Sequence, residues 1–152
     1  MRIYIPATAR DLGTDPLRPQ QVHAVTAGLR AALPDEDEEI LELVALLAAA
    51  DDSVRLIGER GEVPRRVVLA ADVEAGSLAE APAEAIESAL LAPQGVPWAA
   101  VVSLHVDEDA ARDEIGAAAA GDGDAFERSG ERDLLWFDVT EWQHVADELR
   151  AG

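Results

Sequence analysis

Apolar residues recur at Ile40, Leu43, Val44, Leu47, Ala50, Val54 and Ile57, the three-and-four spacing of a helix that buries one face. The spacing predicts one long amphipathic helix over about 35–57, around which the rest of the chain is organised. Pro34 cannot sit in a helix interior, Asp35 is a good N-cap, and Glu38 stands where it closes a capping box. The first turn, Glu36 to Glu39, is acidic and suits the positive end of the helix dipole; Arg55 and Arg60 lie at the other end, where Gly58 and Gly61 offer C′ positions.

The remaining periodicities are mostly those of strands. Residues 2–8 alternate, with Ile3 and Ile5 on one face and Arg2 and Tyr4 on the other, and Pro6 places the strand's end or a sheet edge there. Residues 9–21 read as an exposed loop, 22–26 as a short strand, and 27–33 as a helix capped by Thr26. Residues 66–73 give the strongest strand signal, with a near-continuous apolar run that predicts a central place in the sheet. Residues 74–85 form a short helix or acidic loop. Residues 86–92 read as a strand between Pro82 and the stop at Pro93 to Gly95. A short helix is expected over 98–102, a strand over 103–107, a helix over about 109–120 and a mobile surface loop over 121–133. Residues 134–139 make the last strand, and Thr140 caps a final helix over about 141–149.

These elements predict a single α+β domain spanning residues 1–152. Its mixed sheet has about five or six strands, packed on one side by the long helix and at least two others. Ferredoxin-like connectivity fits part of the pattern, which does not fix the strand order.

Composition narrows the partners. The formal net charge is −19, from 31 acidic residues against 12 basic ones, all of them arginine. A chain this acidic repels phosphate backbones and anionic membranes, so neither nucleic acid nor a membrane is the expected partner. Cysteine is absent, which removes disulfides and thiolate chemistry. Met1 leads straight into a strand pattern, and no apolar run approaches the ~20 residues of a membrane span, so a cytoplasmic location is expected.

Three segments carry a family resemblance: the opening MRIYIPAT, RRVVLAADV followed by VPWAAVVSLHVDE, and the late LLWFDVTEW. Together with the acidic start of the long helix they resemble a family of small uncharacterised proteins from high-GC actinobacteria, a domain of unknown function. The resemblance spans nearly the whole chain and implies no activity. Residues 9–21 follow a course of their own.

The sharpest chemical signal is His105 with Asp107. An H-x-D spacing on a strand puts both side chains on one face about 7 Å apart, close enough to share a metal or a proton. Asp72 and Asp138 join them if their strands lie alongside, giving the donor set of an acid–base or metal-dependent enzyme. The plainer reading is that His105 hydrogen-bonds within a half-buried face while Asp107 caps the next helix. Tyr4 and Arg2 are expected on that same face with Trp136 and Asp138, the mixture found on ligand and partner surfaces. Trp98 and Trp142 read as wedges between helix and sheet, and His23 and His144 as structural. No dinucleotide, P-loop, nucleophile-elbow or zinc-helix signature is present, and GDGD at 121–124 lacks the spaced acids of a calcium loop.

The sequence therefore points first to a non-catalytic cytoplasmic interaction protein. Its binding residues are Tyr4, His105, Asp107, Trp136 and Asp138, or an exposed sheet edge, and its partner is a protein or a second copy of the chain. No cofactor and no metal site is expected. The rival is a small metal-dependent or acid–base enzyme using His105 and Asp107 with Asp72 or Asp138. An enzyme requires those groups to converge in an open pocket.

Overall fold

A computed structural model of the chain describes residues 1–151. Its strands are β1 (Arg2–Ala7), β2 (Val22–His23), β3 (Val67–Asp72), β4 (Ala79–Glu80), β5 (Ala89–Leu91), β6 (Val101–Val106) and β7 (Leu135–Asp138). Its helices are α1 (Ala27–Ala32), α2 (Glu38–Arg60), α3 (Arg112–Ala119), α4 (Gly123–Ser129) and α5 (Trp142–Ala151). The strands form one sheet in the order β4-β5-β2-β1-β3-β6-β7, and every neighbouring pair is antiparallel. The α+β class is as expected. The sheet is not mixed, however, and it has seven strands because Ala79–Glu80, within the stretch expected as a short helix or acidic loop, also pairs as β4. β1 and β3, joined through α2, lie side by side and antiparallel, so the split parallel crossover of a ferredoxin-like unit is absent.

The long helix starts and ends three residues later than its periodicity predicts. Asp37, not Asp35, is the N-cap, its carboxylate accepting from the Ile40 N–H at 3.0 Å. A run of five acids offers several equivalent caps, and the turn closed by Glu36 N–H on Leu33 O selects the later one. Gly61 at φ +65° ends the helix in the left-handed conformation. The buried face is alanine-rich: Ala45, Ala49 and Ala50 let α2 lie close on Tyr4, Val68 and Ala70. Ser53 pins it there, donating to Ala7 O at 2.6 Å and accepting from Val67 N–H at 3.1 Å.

Helices cover both faces, not one. Ile3, Ile5, Val67, Leu69, Leu104 and Val106 point away from α2 into a second core closed by Val145, Ala146 and Leu149 of α5. Trp98 and Trp142 meet edge to face at 5.7 Å beneath it, the wedge role their positions predict. Gly13, at φ +79°, passes so close to Trp142 that a Cβ there would lie 2.4 Å from the indole.

Other segments differ from their sequence patterns for local reasons. Pro6 lies inside a central strand because β2 pairs with β1 only at Tyr4↔His23, leaving Pro6 a strand partner on the β3 side alone. Residues 98–102 make a 3₁₀ turn (Trp98–Ala100) and then β6, since Val101 and Val102 favour the strand. The expected loop at 121–133 contains α4, capped by Asp122 and held by Ala125 against Val54 and Ala118. α5 is preceded by a 3₁₀ turn whose capping box is Asp138 with Glu141, so Asp138 and not Thr140 supplies the cap. Among the described residues no helix is long and apolar enough to cross a membrane.

Candidate functional site

Strand register decides which candidate side chains meet. Tyr4, Ala70, Ser103 and Asp138 stand opposite one another across β1, β3, β6 and β7, as do Pro6, Val68, His105 and Trp136 in the next row. Opposed residues share a face, so Tyr4, His105, Trp136 and Asp138 lie together on the α2 side of the sheet. Their availability differs sharply. Tyr4 is buried, donates its hydroxyl to Glu42 at 2.7 Å, and meets the His105 ring edge-on at 6.5 Å. His105 is half-buried, with Nε2 3.3 Å from Ser103 Oγ; burial, and then the Arg2 charge, push its pKa down to about 4. Asp138 accepts from Thr140 N–H and Oγ–H, which hold its carboxyl below the ordinary range. Trp136 is 61% exposed.

Asp107 does not join His105 as a second ligand, and it caps no helix. It is fully buried, with Oδ2 accepting from Arg66 N–H at 2.7 Å and Nε–H at 2.8 Å, and Oδ1 from Nη2–H at 2.8 Å. Its carbonyl takes two further hydrogen bonds from Arg65. Asp72 is paired with Arg2 on the exposed end of β3. The convergence of His105, Asp107 and Asp72 or Asp138 that an enzyme would need is therefore not formed. Among the described residues, no group of three or more His, Asp or Glu side chains is placed to hold a metal ion.

The polar chain that does form centres on His23, which its spacing marks only as structural. His23 is fully buried between Ser88 and Asp52: Nδ1 lies 2.8 Å from Ser88 Oγ and Nε2 2.7 Å from Asp52 Oδ2. Asp52 also accepts from Gln21 at 2.8 Å and Arg55 at 2.9 Å. Desolvation works against its ionisation, but the bonds from His23, Gln21 and Arg55 together outweigh it and hold the carboxyl below the ordinary range. Three residue types familiar from hydrolases are thus in line, yet Ser88 is buried and does not line the cleft described next. The buried chain orients Asp52 toward that cleft. Asp52 lies with Leu41 and Ala45 on the buried face of α2, away from the stripe of Ile40, Leu43, Leu47 and Val54. His23 and Ser88 are 65 positions apart, so nothing local in the sequence marks the chain.

Asp52 opens onto a cleft of about 280 Å³ between residues 5–21 and the C-terminal half of α2. Ile5, Pro6, Leu17 and Leu56 make its apolar walls. Its charged lining is Arg18, Arg55 and Arg60 against Asp11, Asp52 and Glu59. Arg60 is committed internally, donating to Asp11 at 2.6 Å and Thr8 at 3.0 Å.

Fold and site together define an α+β domain with a single antiparallel sheet, a side cleft and an exposed aromatic sheet edge. The chain matches the family of unknown function DUF6912 over residues 1–146 and belongs to that family. The match includes residues 9–21, set apart above as following their own course. Neither a curated protein nor a solved structure matches it.

Proposed function

We propose that this is a cytoplasmic, non-catalytic binding protein that takes a cationic, apolar segment of another protein as an added strand along β7. The observation that carries the reading is Trp136, 61% exposed on an outermost strand that pairs with β6 alone. Leu135, 44% exposed, occupies the other face of the same strand. An unpaired strand edge with an accessible aromatic anchor suits strand addition, in which the backbone supplies affinity and side chains supply selectivity.

The rim suggests the partner's charge. Positions 40, 43, 47, 51 and 54 fall on one flank of α2. Val54 on that flank packs against Ala118 and Ala125, while Ile40 and Leu43 further along it are exposed. Around these stand Asp35 to Glu39 and Glu42, in a chain of net charge −19. Two copies meeting edge to edge would oppose like charges, whereas a basic strand would be drawn in.

The test uses an eight-residue peptide of alternating Lys and Val, followed through tryptophan emission. Saturable binding that weakens with salt, and is lost in Trp136→Ala and with the backbone-N-methylated peptide, supports the reading. Equal binding by the methylated peptide or by Trp136→Ala overturns it, as does a concentration-dependent dimer in sedimentation that Trp136→Ala abolishes.

A further inference from the structure

The cleft beside Asp52 has a charge arrangement that the strand-edge reading leaves unused. Ten of the twelve arginines have a carboxylate partner; among the described residues, Arg18 and Arg150 do not. In a chain with 31 acidic residues, an unpaired arginine at the mouth of a cleft is a marked exception. On the opposite wall, Glu59 likewise has neither ion pair nor hydrogen bond among the described residues. Once Arg60 with Asp11 and Arg55 with Asp52 are set aside as internal pairs, one free cation and one free anion remain at the lining. Arg55 is exposed and engages Asp52 through Nη1 only, so the rest of its fork is available.

We propose that this cleft binds a small zwitterion with an aliphatic body, an apolar amino acid or a close analogue, with its carboxylate on Arg18 and Arg55 and its ammonium on Glu59. Pro6, Leu17 and Leu56 receive the aliphatic part. The volume, about 280 Å³, stands at the small end of ligand pockets, which begin near ~300 Å³.

Both walls are fixed before a ligand arrives, which lowers the ordering cost of binding. On one side the buried Ser88–His23–Asp52 chain holds Arg55 and Gln21 in place. On the other, Leu17 and Val96 exchange two backbone hydrogen bonds of 2.8 Å. Gly95, at φ +75°, permits that clamp, since a Cβ there would lie 2.7 Å from Leu17 O. Arg55 and Glu59 are one helical turn apart, neighbours on the same face of α2.

Calorimetry and ligand-observed NMR on the full chain test the proposal. The probes are L-leucine, L-valine, 4-methylpentanoate, which lacks the amine, and isopentylamine, which lacks the carboxylate. An amino acid should bind with millimolar or better affinity, and each single-charge probe should bind about tenfold or more weakly. Arg18→Ala and Glu59→Ala should each weaken the amino acid about tenfold while melting as wild type does, since both side chains are exposed. Absence of binding by both amino acids at millimolar concentration overturns the proposal. So does 4-methylpentanoate binding as tightly as leucine, which would make this a simple anion site, or binding unchanged in both variants. None of these outcomes depends on β7.

Discussion

Arg66 and Asp107, at the ends of β3 and β6, form a fully buried bidentate ion pair with both guanidinium–carboxylate contacts at 2.8 Å. The pair closes the two strands where the sheet gives way to α3, and it takes out of circulation the carboxylate that the H-x-D spacing marks as reactive.

Removing one member of a buried pair leaves the other charge uncompensated. Asp107→Asn is expected to lower unfolding stability by about 3–5 kcal/mol in urea titrations. Replacing both residues together, Arg66→Met with Asp107→Leu, should recover most of that loss. A single variant within 1 kcal/mol of wild type would mean that water reaches the pair.

His105 imposes a pH dependence of definite sign. Its folded pKa, about 4, lies below the ordinary 6.5, so between those values the unfolded chain binds more protons than the folded one. Stability is complete above about pH 6.5 and falls as the pH drops toward 4, by about 3 kcal/mol at most. His105→Gln should flatten this slope relative to wild type when urea midpoints are compared at pH 7, 5.5 and 4.5. Parallel slopes would assign the acid sensitivity to the carboxylates.

Ser53→Ala removes one hydroxyl that serves two strands. Ala7 O and Val67 N–H would both lose it inside the core, at a cost of about 2–3 kcal/mol. Slow amide exchange at Val67 should accelerate selectively if Ser53 is its partner in solution.

Gly13→Ala meets both a left-handed φ of +79° and the face of Trp142, 2.4 Å from the added carbon. The expected destabilisation is about 2 kcal/mol or more. Loss of the Trp98–Trp142 edge contact should appear as a weakened near-ultraviolet circular dichroism signal. An unchanged spectrum and midpoint would mean that residues 9–21 can move off α5.

The parts of this molecule legible in its sequence are those written in local periodicity. The helical period of α2, the apolar run of β3 and the shared face of Tyr4, His105 and Trp136 follow from helix and strand repeats alone. The buried face of α2, however, includes Leu41, Ala45, Ala49 and Ser53 and leaves Ile40 and Leu43 of the expected stripe exposed. What escaped depends on distant pairings or on very short elements. Arg66 finds Asp107 across 41 positions and His23 finds Ser88 across 65, and neither pairing leaves a mark near either residue. α4 has only Ala125 and Ser129 buried, too few positions to establish a period. The cleft owes its existence to β1 and the loop after it running alongside the C-terminal half of α2, with Ala7 at Ser53 and Thr8 at Arg60, which the strands' own patterns leave open.

Between Glu38 and Ile57 the long helix contains neither glycine nor proline. It therefore behaves as a stiff beam without a joint, about 18 Å long from Leu43 to Arg55. Its standoff from the sheet is set by three methyl groups, those of Ala45, Ala49 and Ala50. Enlarging any of them would tilt the whole beam, so the width of the cleft at one end and the height of the apolar flank at the other cannot be tuned separately. Anyone redesigning one of the two surfaces would first have to build a hinge between them.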